Sequence, residues 1–373
     1  MSRNSIRSGR KVVTHATINA PIKGSAEDTA MLMRLMYRFR DCVRRALPLV
    51  RDGIEPIKGK TSLRDFIGNA WYAYSACCMA KLILEGLEAT NGGYASVRKP
   101  FLVSSGDKSR SGNRNIKLLS TSELEVRYPF EGRGKFLHFS VMFPEKFVPL
   151  VEELVEKAKQ SKVSYGAAIS LKNNLVAHIN VPLDLWLEHR RRKSKPFGNN
   201  VASVDINSDR INLTVITPDH ELIYRKTFWY PEVNSPGYPR GKADYVRHQA
   251  VNEAVELAYY CGASVIVLED LFRIKKKEFT NSAKANRKIS RFPKRELLTH
   301  AILEALEWSI EPYLINPAYS SSKGRELAKE CGLDAHSGSA LALALRFLKY
   351  GKVCYYEGYG NCCEPPHHPP QKV

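Results

Sequence analysis

The order of strand and helix patterns after residue 200 is the feature that most restricts how this chain can fold. Several segments there have the apolar runs, the alternation or the helical periodicity of regular elements. In chain order they are strands at 201–207, 210–216 and 221–230, a helix at 244–261, a strand at 264–268, a helix at 293–311, a strand at 313–316 and a helix at 337–349. This alternation predicts a mainly parallel sheet, and a hairpin around Pro218 and Asp219 predicts an antiparallel edge.

The resulting β-β-β-α-β-α-β-α order is that of RNase H-like domains. Residues 201–352 are therefore predicted to form an α/β domain of that fold. In such a domain the first strand, the fourth strand and the last helix meet at one end of the sheet. Side chains at those three places are expected to lie close together.

The first half of the chain begins with a strand followed by helices. Residues 12–20 alternate like a strand, and Ser25 then begins a helical pattern with Asp28 at the capping-box position. This helix is predicted to run to about Pro48. A second helical stretch is predicted from about residue 61 to Gly92, and the two together predict a helical insert at 25–94.

Strand patterns follow this insert. Residues 106–115 are polar and glycine-containing and predict an exposed loop, and the strands after it are predicted at 123–128, 135–143, 165–171 and 175–181. These strands are expected to close into a small β-barrel built from residues 1–24 and 95–187.

The best domain boundary is the basic segment 188–200. Five of the six residues from Arg190 to Lys195 are basic, and a proline and a glycine follow at once. We expect residues 188–200 to form a linker. Residues 353–373 are rich in proline and predict a disordered tail.

The charge of the chain indicates a polyanionic partner. Its 57 Lys and Arg residues against 38 Asp and Glu residues give a formal net charge of +19. Nucleic acid is the expected partner, and a cationic surface without a dedicated ligand is the alternative. The sequence shows no secretory signal and no apolar run that could span a bilayer, so a cytoplasmic, nucleoid-associated protein without a membrane partner is expected.

Clusters of basic residues are the candidates for phosphate contacts, with solvated surface charge as the alternative for each. They are Lys108 and Arg110, then Arg190, Arg191 and Arg192, then Lys275, Lys276 and Lys277, and finally Arg287 and Arg291. The three lysines are the strongest candidates, because they closely follow Glu269.

Three acidic residues occupy the places that the predicted fold brings together. Asp205 lies in the first strand, Glu269 ends the fourth strand, and Asp334 precedes the last helix. Taken singly, each has another interpretation. Asp205 could be a turn residue at a strand edge, Glu269 a solvated strand end and Asp334 a helix cap. Together, three converging carboxylates predict a site for Mg²⁺ or Mn²⁺, because these cations prefer oxygen ligands and can activate water against a phosphodiester. His336 could assist this site or be an ordinary residue of the first helical turn.

Motifs around these residues resemble those of the TnpB proteins of insertion sequences, which are relatives of type V CRISPR effectors. The matching segments are VDIN at 204–207, VLEDL at 267–271, FPKRELLTHAILEAL at 292–306, INPAYSS at 315–321 and GLDAHSGSALALALR at 332–346. The resemblance implies a RuvC-type nuclease domain, with Asp205, Glu269 and Asp334 as its catalytic and metal-binding carboxylates. It also implies a wedge-type barrel and a helical recognition lobe before that domain, and an RNA-guided DNA endonuclease that binds guide RNA and target DNA. A second copy of the chain, in a homodimer, is kept as a further candidate partner.

Two other functions stay open. One is a nuclease-inactive RNA-guided DNA-binding protein, and the other is a structure-selective nuclease that works without RNA.

The chain departs from the TnpB pattern in one place. The family usually carries two Cys-x-x-Cys pairs before the third aspartate, where they bind zinc. Here fifteen positions separate Tyr319 from Asp334, and Cys331 is the sole cysteine among them. No structural zinc is therefore expected. A metal site in the tail, from Cys362, Cys363, His367 and His368, is the weaker interpretation of that segment.

Overall fold

A computed structural model describes residues 14–88, 96–131, 134–171, 173–192, 197–271, 280–316 and 320–350. The chain divides into two compact units. The first is His15–His189, and the second consists mainly of the chain from Arg190 onward. Within the described ranges, no helix is both long enough and apolar enough to cross a membrane.

The first unit contains an antiparallel sheet. The strands of this unit are β1 (His15–Gly24), β2 (Phe101–Ser104), β3 (Gly106–Asp107), β4 (Gly112–Asn113), β5 (Ile116–Leu118), β6 (Glu123–Arg127), β7 (Phe136–Val141), β8 (Gly166–Leu171) and β9 (Leu175–Pro182), and seven of them form the sheet. The order is β2-β8-β9-β1-β7-β6-β5, and β3 pairs with β4 separately. β1 joins the two halves of this sheet, because its first part pairs with β9 and its end pairs with β7. Alternate residues of β1 are buried, as expected for a sheet with one covered face.

Helices also form part of the first unit. They are α1 (Ala26–Arg51), α2 (Pro56–Ile67), α3 (Ala70–Glu88), α4 (Val148–Lys159) and α5 (Leu183–Arg190). Ser25 caps α1 as predicted, since its hydroxyl accepts a hydrogen bond from the Asp28 amide at 2.9 Å. The single helix predicted from about residue 61 to Gly92 is wrong. Gly68 has φ 70°, which ends α2, and the Asn69 side chain then caps α3 through the amides of Trp71 and Tyr72.

Two further expectations for the first unit are corrected. The predicted exposed loop at 106–115 contains the β3–β4 hairpin, in which Asn113 is completely buried. The Asn113 side chain donates hydrogen bonds to the carbonyl oxygens of Ser104 and Tyr165. This polar residue is therefore buried because it satisfies backbone acceptors inside the unit. Helix α4 was not predicted, although its apolar face buries Leu150, Val151 and Leu154.

The second unit contains a five-stranded mixed sheet. Its strands are β10 (Asn200–Ile206), β11 (Arg210–Ile216), β12 (Leu222–Trp229), β13 (Ala263–Glu269) and β14 (Glu311–Ile315), in the order β12-β11-β10-β13-β14. β10 pairs antiparallel with β11 and β11 with β12, whereas β10, β13 and β14 are parallel. The helices are α6 (Arg240–Tyr260), α7 (Ala283–Arg291), α8 (Lys294–Glu307), α9 (Ser320–Glu330) and α10 (Ala335–Tyr350). The strands together with α6, α8 and α10 follow the α/β RNase H-like order that the sequence predicts, whereas α7 and α9 were not predicted.

Helices α9 and α10 pack at very close range. A Cβ atom added to Gly338 would lie 2.1 Å from the Gly324 carbonyl oxygen, and one added to Gly324 would lie 2.6 Å from the Ser339 Cα. Only glycine allows these two backbones to approach so closely. The unpredicted helix α9 thus occupies the segment in which the TnpB pattern has its zinc-binding cysteines.

The expected linker at 188–200 is not a free segment where it is described. Arg190 is the last residue of α5, and Asn200 is the first residue of β10. Between them, the Arg192 amide donates to the Glu307 carbonyl oxygen at 2.6 Å. Residues 193–196 and the predicted tail at 353–373 lie outside the described residues.

Candidate active site

Asp205 and Glu269 occupy matching positions on neighbouring parallel strands. Val204 of β10 is in register with Leu268 of β13, and each acidic residue is the next one along its strand. Side chains in equivalent positions of adjacent strands point to the same face, and the strands lie about 4.8 Å apart. Asp205 is buried and Glu269 is partly buried. The fold therefore holds two carboxylates side by side at the carboxyl ends of two central strands.

The environment of Glu269 disfavours its charge. Burial raises the pKa of Glu269 to about 7; the hydroxyl of Ser320, which donates to Oε1 at 2.6 Å, opposes this rise, and the negative charge of Asp205 adds to it. Ser320 is the first residue of α9. Helix α9 thus supplies the hydroxyl that orients one carboxylate of the pair.

Asp205 is held by a residue of α10 and by Asn207. His336 Nδ1 lies 3.1 Å from Asp205 Oδ2, and the Asn207 amide nitrogen donates to the same oxygen at 2.9 Å. The hydrogen bond with Asp205 raises the pKa of His336. An imidazolium at this position offsets part of the negative charge of the carboxylate pair.

Asp334 caps α10. Its Oδ1 accepts hydrogen bonds from the amides of His336 at 3.0 Å and Ser337 at 3.1 Å, and its Oδ2 accepts one from the Ser337 hydroxyl. Burial alone would raise the pKa of Asp334, but these hydrogen bonds hold it below its usual range. The cap interpretation of Asp334 is therefore correct. Because the same turn carries His336, the cap also lies next to the side chain that contacts Asp205.

Carboxylate oxygens are suitable ligands for a hard divalent cation, but only two of the three predicted carboxylates, Asp205 and Glu269, are neighbours. Over the described part of the chain, no three His, Cys, Asp or Glu side chains come together as a group that could hold a metal ion. Asp205 and Glu269 offer neighbouring oxygen ligands of the kind that Mg²⁺ and Mn²⁺ prefer. The oxygens of Asp334 are already hydrogen-bonded within the first turn of α10.

The predicted phosphate-binding residues fall into different environments. Lys108, Arg110 and Arg191 are exposed, and Arg287 is partly exposed. Arg192 lies 2.7 Å from Glu304 and 3.2 Å from Glu307, and Arg190 lies 3.7 Å from Glu307. These two arginines therefore balance the negative charges of two buried glutamates.

The other predicted contacts lie on α7 and just before it. Arg291 donates to the Ser235 carbonyl oxygen at 2.7 Å, which ties the end of α7 to the loop after β12. Lys275, Lys276 and Lys277 lie outside the described residues.

Sequence reasoning missed the polar row beside the carboxylate pair. Asp205 is in register with Asn212 of β11, and the Asn212 amide donates to Thr227 of β12 at 2.8 Å and to Ser337 of α10 at 3.3 Å. Asn212 is completely buried. A buried asparagine inside an otherwise apolar strand was the available signal, since such a residue needs partners within the protein.

The described fold and site thus define an RNase H-like α/β unit with two neighbouring carboxylates at the carboxyl ends of its parallel strands. The uncharacterized protein SSO2105 of Saccharolobus solfataricus is 33% identical over 343 residues, which cover 89% of this chain and 92% of that protein. A family model described as the SSO2105 N-terminal domain matches residues 15–191. The chain belongs to the SSO2105 family.

Two solved structures match this chain at lower sequence identity. A Cas12f1 complex with sgRNA and target DNA has 10% identity and a TM-score of 0.49, with 86% of this chain and 83% of that chain covered. RuvC of T. thermophilus in complex with a Holliday junction substrate has 16% identity and a TM-score of 0.29, with 42% of this chain and 99% of that chain covered. Strand order and register define the RNase H-like fold of the second unit.

Proposed function

We propose that this chain is an RNA-guided DNA endonuclease of the TnpB type that hydrolyses phosphodiester bonds at Asp205, Glu269 and Asp334. The observation that carries the proposal is the register of Asp205 and Glu269 on adjacent parallel strands. Placing two carboxylates side by side in a largely buried position costs free energy, because their charges repel each other and are poorly solvated. A binding site for a cation explains why a protein would carry such a pair.

The chain's own residues would fix the orientation of this pair. Asp205 and Glu269 would bind Mg²⁺ or Mn²⁺, with Asp334 as the third carboxylate. Ser320 holds Glu269 and His336 holds Asp205, so both side chains are oriented before substrate arrives. A bound divalent cation lowers the pKa of water and stabilises charge on phosphodiester oxygens. No structural zinc is proposed, because Cys331 is the only cysteine between Tyr319 and Asp334.

Guide RNA and target DNA are proposed as partners from the TnpB resemblance and the charge of the chain. The net charge of +19 favours binding of a polyanion. The exposed Lys108, Arg110 and Arg191 are suited to phosphate contacts, as is the partly exposed Arg287. We also propose that the seven-stranded sheet of the first unit acts as the wedge barrel and that α1, α2 and α3 act as its recognition insert.

One observation favours a nuclease-inactive, RNA-guided DNA-binding protein as the second candidate. Asp334 is committed to capping α10, and the described side chains offer a pair of ligands instead of three. Such a protein would bind the same nucleic acids and leave them intact.

The test of guidance is to purify the full chain from its host and to sequence the RNA that is bound to it. One abundant RNA species, with a constant part and a part that matches DNA, supports guidance. RNA whose composition follows the total cellular pool contradicts guidance and favours a nuclease that works without RNA.

A further inference from the structure

An exposed tryptophan ends the edge strand of the five-stranded sheet. Trp229 is the last residue of β12, and its side chain is 60% exposed. The other three tryptophans, Trp71, Trp186 and Trp308, are partly or fully buried. An exposed indole costs free energy in water, so its position calls for a physical explanation.

Trp229 lies on the same face of the sheet as Asp205. Asp205 is in register with Asn212, and Asn212 with Thr227, whose hydroxyl it contacts. Trp229 is two residues beyond Thr227 on the same strand, and alternate residues of a strand share a face. Two strand spacings and two residues along β12 place the Cα atom of Trp229 on the order of 10 Å from that of Asp205.

A positively charged side chain packs against the indole ring. The Arg210 guanidinium lies 4.1 Å from the ring centroid of Trp229, and the two residues are register partners on β11 and β12. Arg210 also contacts Asp209 at 3.0 Å. This arrangement fixes the arginine and the ring against each other, and the ring still has exposed surface.

A second cation lies beside Arg210. Lys288 of α7 reaches the same Asp209 carboxylate at 2.5 Å and is itself partly exposed. One carboxylate therefore faces two cations, and the local charge stays positive. Burial raises the pKa of Asp209, but Arg210 and Lys288 outweigh it and hold that pKa below its usual range, so this carboxylate is charged at neutral pH.

An exposed aromatic ring beside fixed cations is the arrangement with which proteins bind single-stranded nucleic acid. Bases stack on the ring, and the cations attract the phosphates between them. A double helix would not expose a base face to Trp229, whereas a single strand passing the carboxylate pair would.

We infer that Trp229, backed by Arg210 and flanked by Lys288, stacks a base of the single strand whose backbone enters the site at Asp205 and Glu269. The inference rests on the proposed nuclease function, since it names how the cut strand is held. Trp229 is a positioning residue, because it holds the strand and leaves the reacting phosphate to the carboxylates.

The experiment measures binding without cleavage. The full chain is titrated, in EDTA, with a single-stranded oligothymidylate about ten nucleotides long, and tryptophan fluorescence and anisotropy of a labelled oligonucleotide are recorded. We expect quenching of tryptophan fluorescence on binding, and no quenching in Trp229→Phe. Trp229→Ala should lower the affinity by a factor of about 5 to 100, whereas Trp229→Phe should retain most of it, because phenylalanine still stacks.

The matched control is Ile223→Ala on the same strand. Ile223 is 47% exposed and apolar but cannot stack a base, so its removal should leave affinity unchanged. Equal affinity of Trp229→Ala and the unaltered chain would overturn the inference, as would equal losses in Trp229→Ala and Ile223→Ala. A chain that binds and quenches but never cleaves would overturn the proposed nuclease function and leave the stacking site standing.

Discussion

His336 of α10 and Asp205 of β10 are joined by a 3.1 Å contact between Nδ1 and Oδ2. This contact connects the last helix to the first strand of the RNase H-like unit. The same helix begins at the Asp334 cap, and β10 is in register with the strand that ends in Glu269. All three predicted carboxylates therefore belong to one connected arrangement, although only two of them are neighbours on adjacent strands.

The first prediction concerns the pH dependence of stability without divalent cations. The pKa of Glu269 is raised to about 7 from 4.5, so its neutral form stabilises the fold at low pH. This contribution is complete below pH 4.5 and is lost as the pH rises through about 7, with a magnitude of about 3 kcal/mol. Glu269→Gln should remove this loss, and the variant should melt at a higher temperature than the parent at pH 8.

The measurement is thermal unfolding in EDTA at pH 5 and pH 8 for both proteins. If the difference in Tm between parent and variant is the same at the two pH values, Glu269 does not titrate as described.

The second prediction separates the two roles of Asp334. Asp334→Ala removes the cap of α10 and should cost about 1 kcal/mol, whereas Asp334→Asn keeps an oxygen that accepts from the two amides and should be close to the parent in stability. Both variants lose the negative charge, so both should lose cleavage. Urea unfolding and a cleavage assay on the same preparations test this. Cleavage by Asp334→Asn at the parent rate would mean that Asp334 serves only as a cap.

The third prediction concerns the close approach of α9 and α10. Gly338→Ala would place a methyl group 2.1 Å from the Gly324 carbonyl oxygen, so the helices must separate, at a cost of about 3 kcal/mol. Gly241→Ala in α6 is the control, because its added Cβ meets nothing within 4 Å, and it should be neutral or stabilising. Separation of α9 from α10 should also displace Ser320 from Glu269. A Tm for Gly338→Ala equal to that of the control would show that α9 does not pack as described.

The fourth prediction contrasts two sets of basic residues. Lys108→Ala with Arg110→Ala should reduce the slope of log K against log salt for nucleic-acid binding by about one for each lost phosphate contact, with stability unchanged. Arg192→Ala should instead lower stability by about 2 kcal/mol, because the buried Glu304 and Glu307 lose their nearest cation. Equilibrium binding at several salt concentrations and urea unfolding distinguish the two. A reduced salt slope in Arg192→Ala without loss of stability would reverse this assignment.

The second unit could be predicted closely because four of its five strands, β10, β11, β13 and β14, are mostly buried and apolar. The strand predicted at 210–216 coincides with β11, and Glu269 was correctly placed at the end of β13. Helix α9 was missed for the opposite reason. It is a mostly polar segment, and its place in the fold depends on the approach of Gly324 to Gly338, which no local pattern reveals.

The carboxylates of the candidate site could be predicted from the sequence, but the side chains that surround them could not. Asp205 and Glu269 follow from strand order alone, because adjacent parallel strands end at the same edge. The hydroxyl of Ser320 and the ring of Trp229 reach their positions through helix packing and strand register. Arg190 and Arg192 were predicted to contact phosphates because they belong to a basic run in the sequence. In the structure they contact Glu307 and Glu304 of α8, which are distant in sequence, so the sequence alone could not indicate these contacts.

The most direct test of the proposed nuclease is to measure cleavage and binding together for the parent and for Glu269→Gln, Asp205→Asn and Asp334→Asn. Each protein, loaded with the RNA that purifies with it, is given matching DNA in Mg²⁺. We expect the parent to cut, and the variants to bind the DNA with parent affinity while cutting slower by orders of magnitude, since affinity comes from basic residues and pairing. Cleavage by all three variants at the parent rate would contradict the assignment of these carboxylates to catalysis, and joint loss of binding and cleavage would show that they are structural.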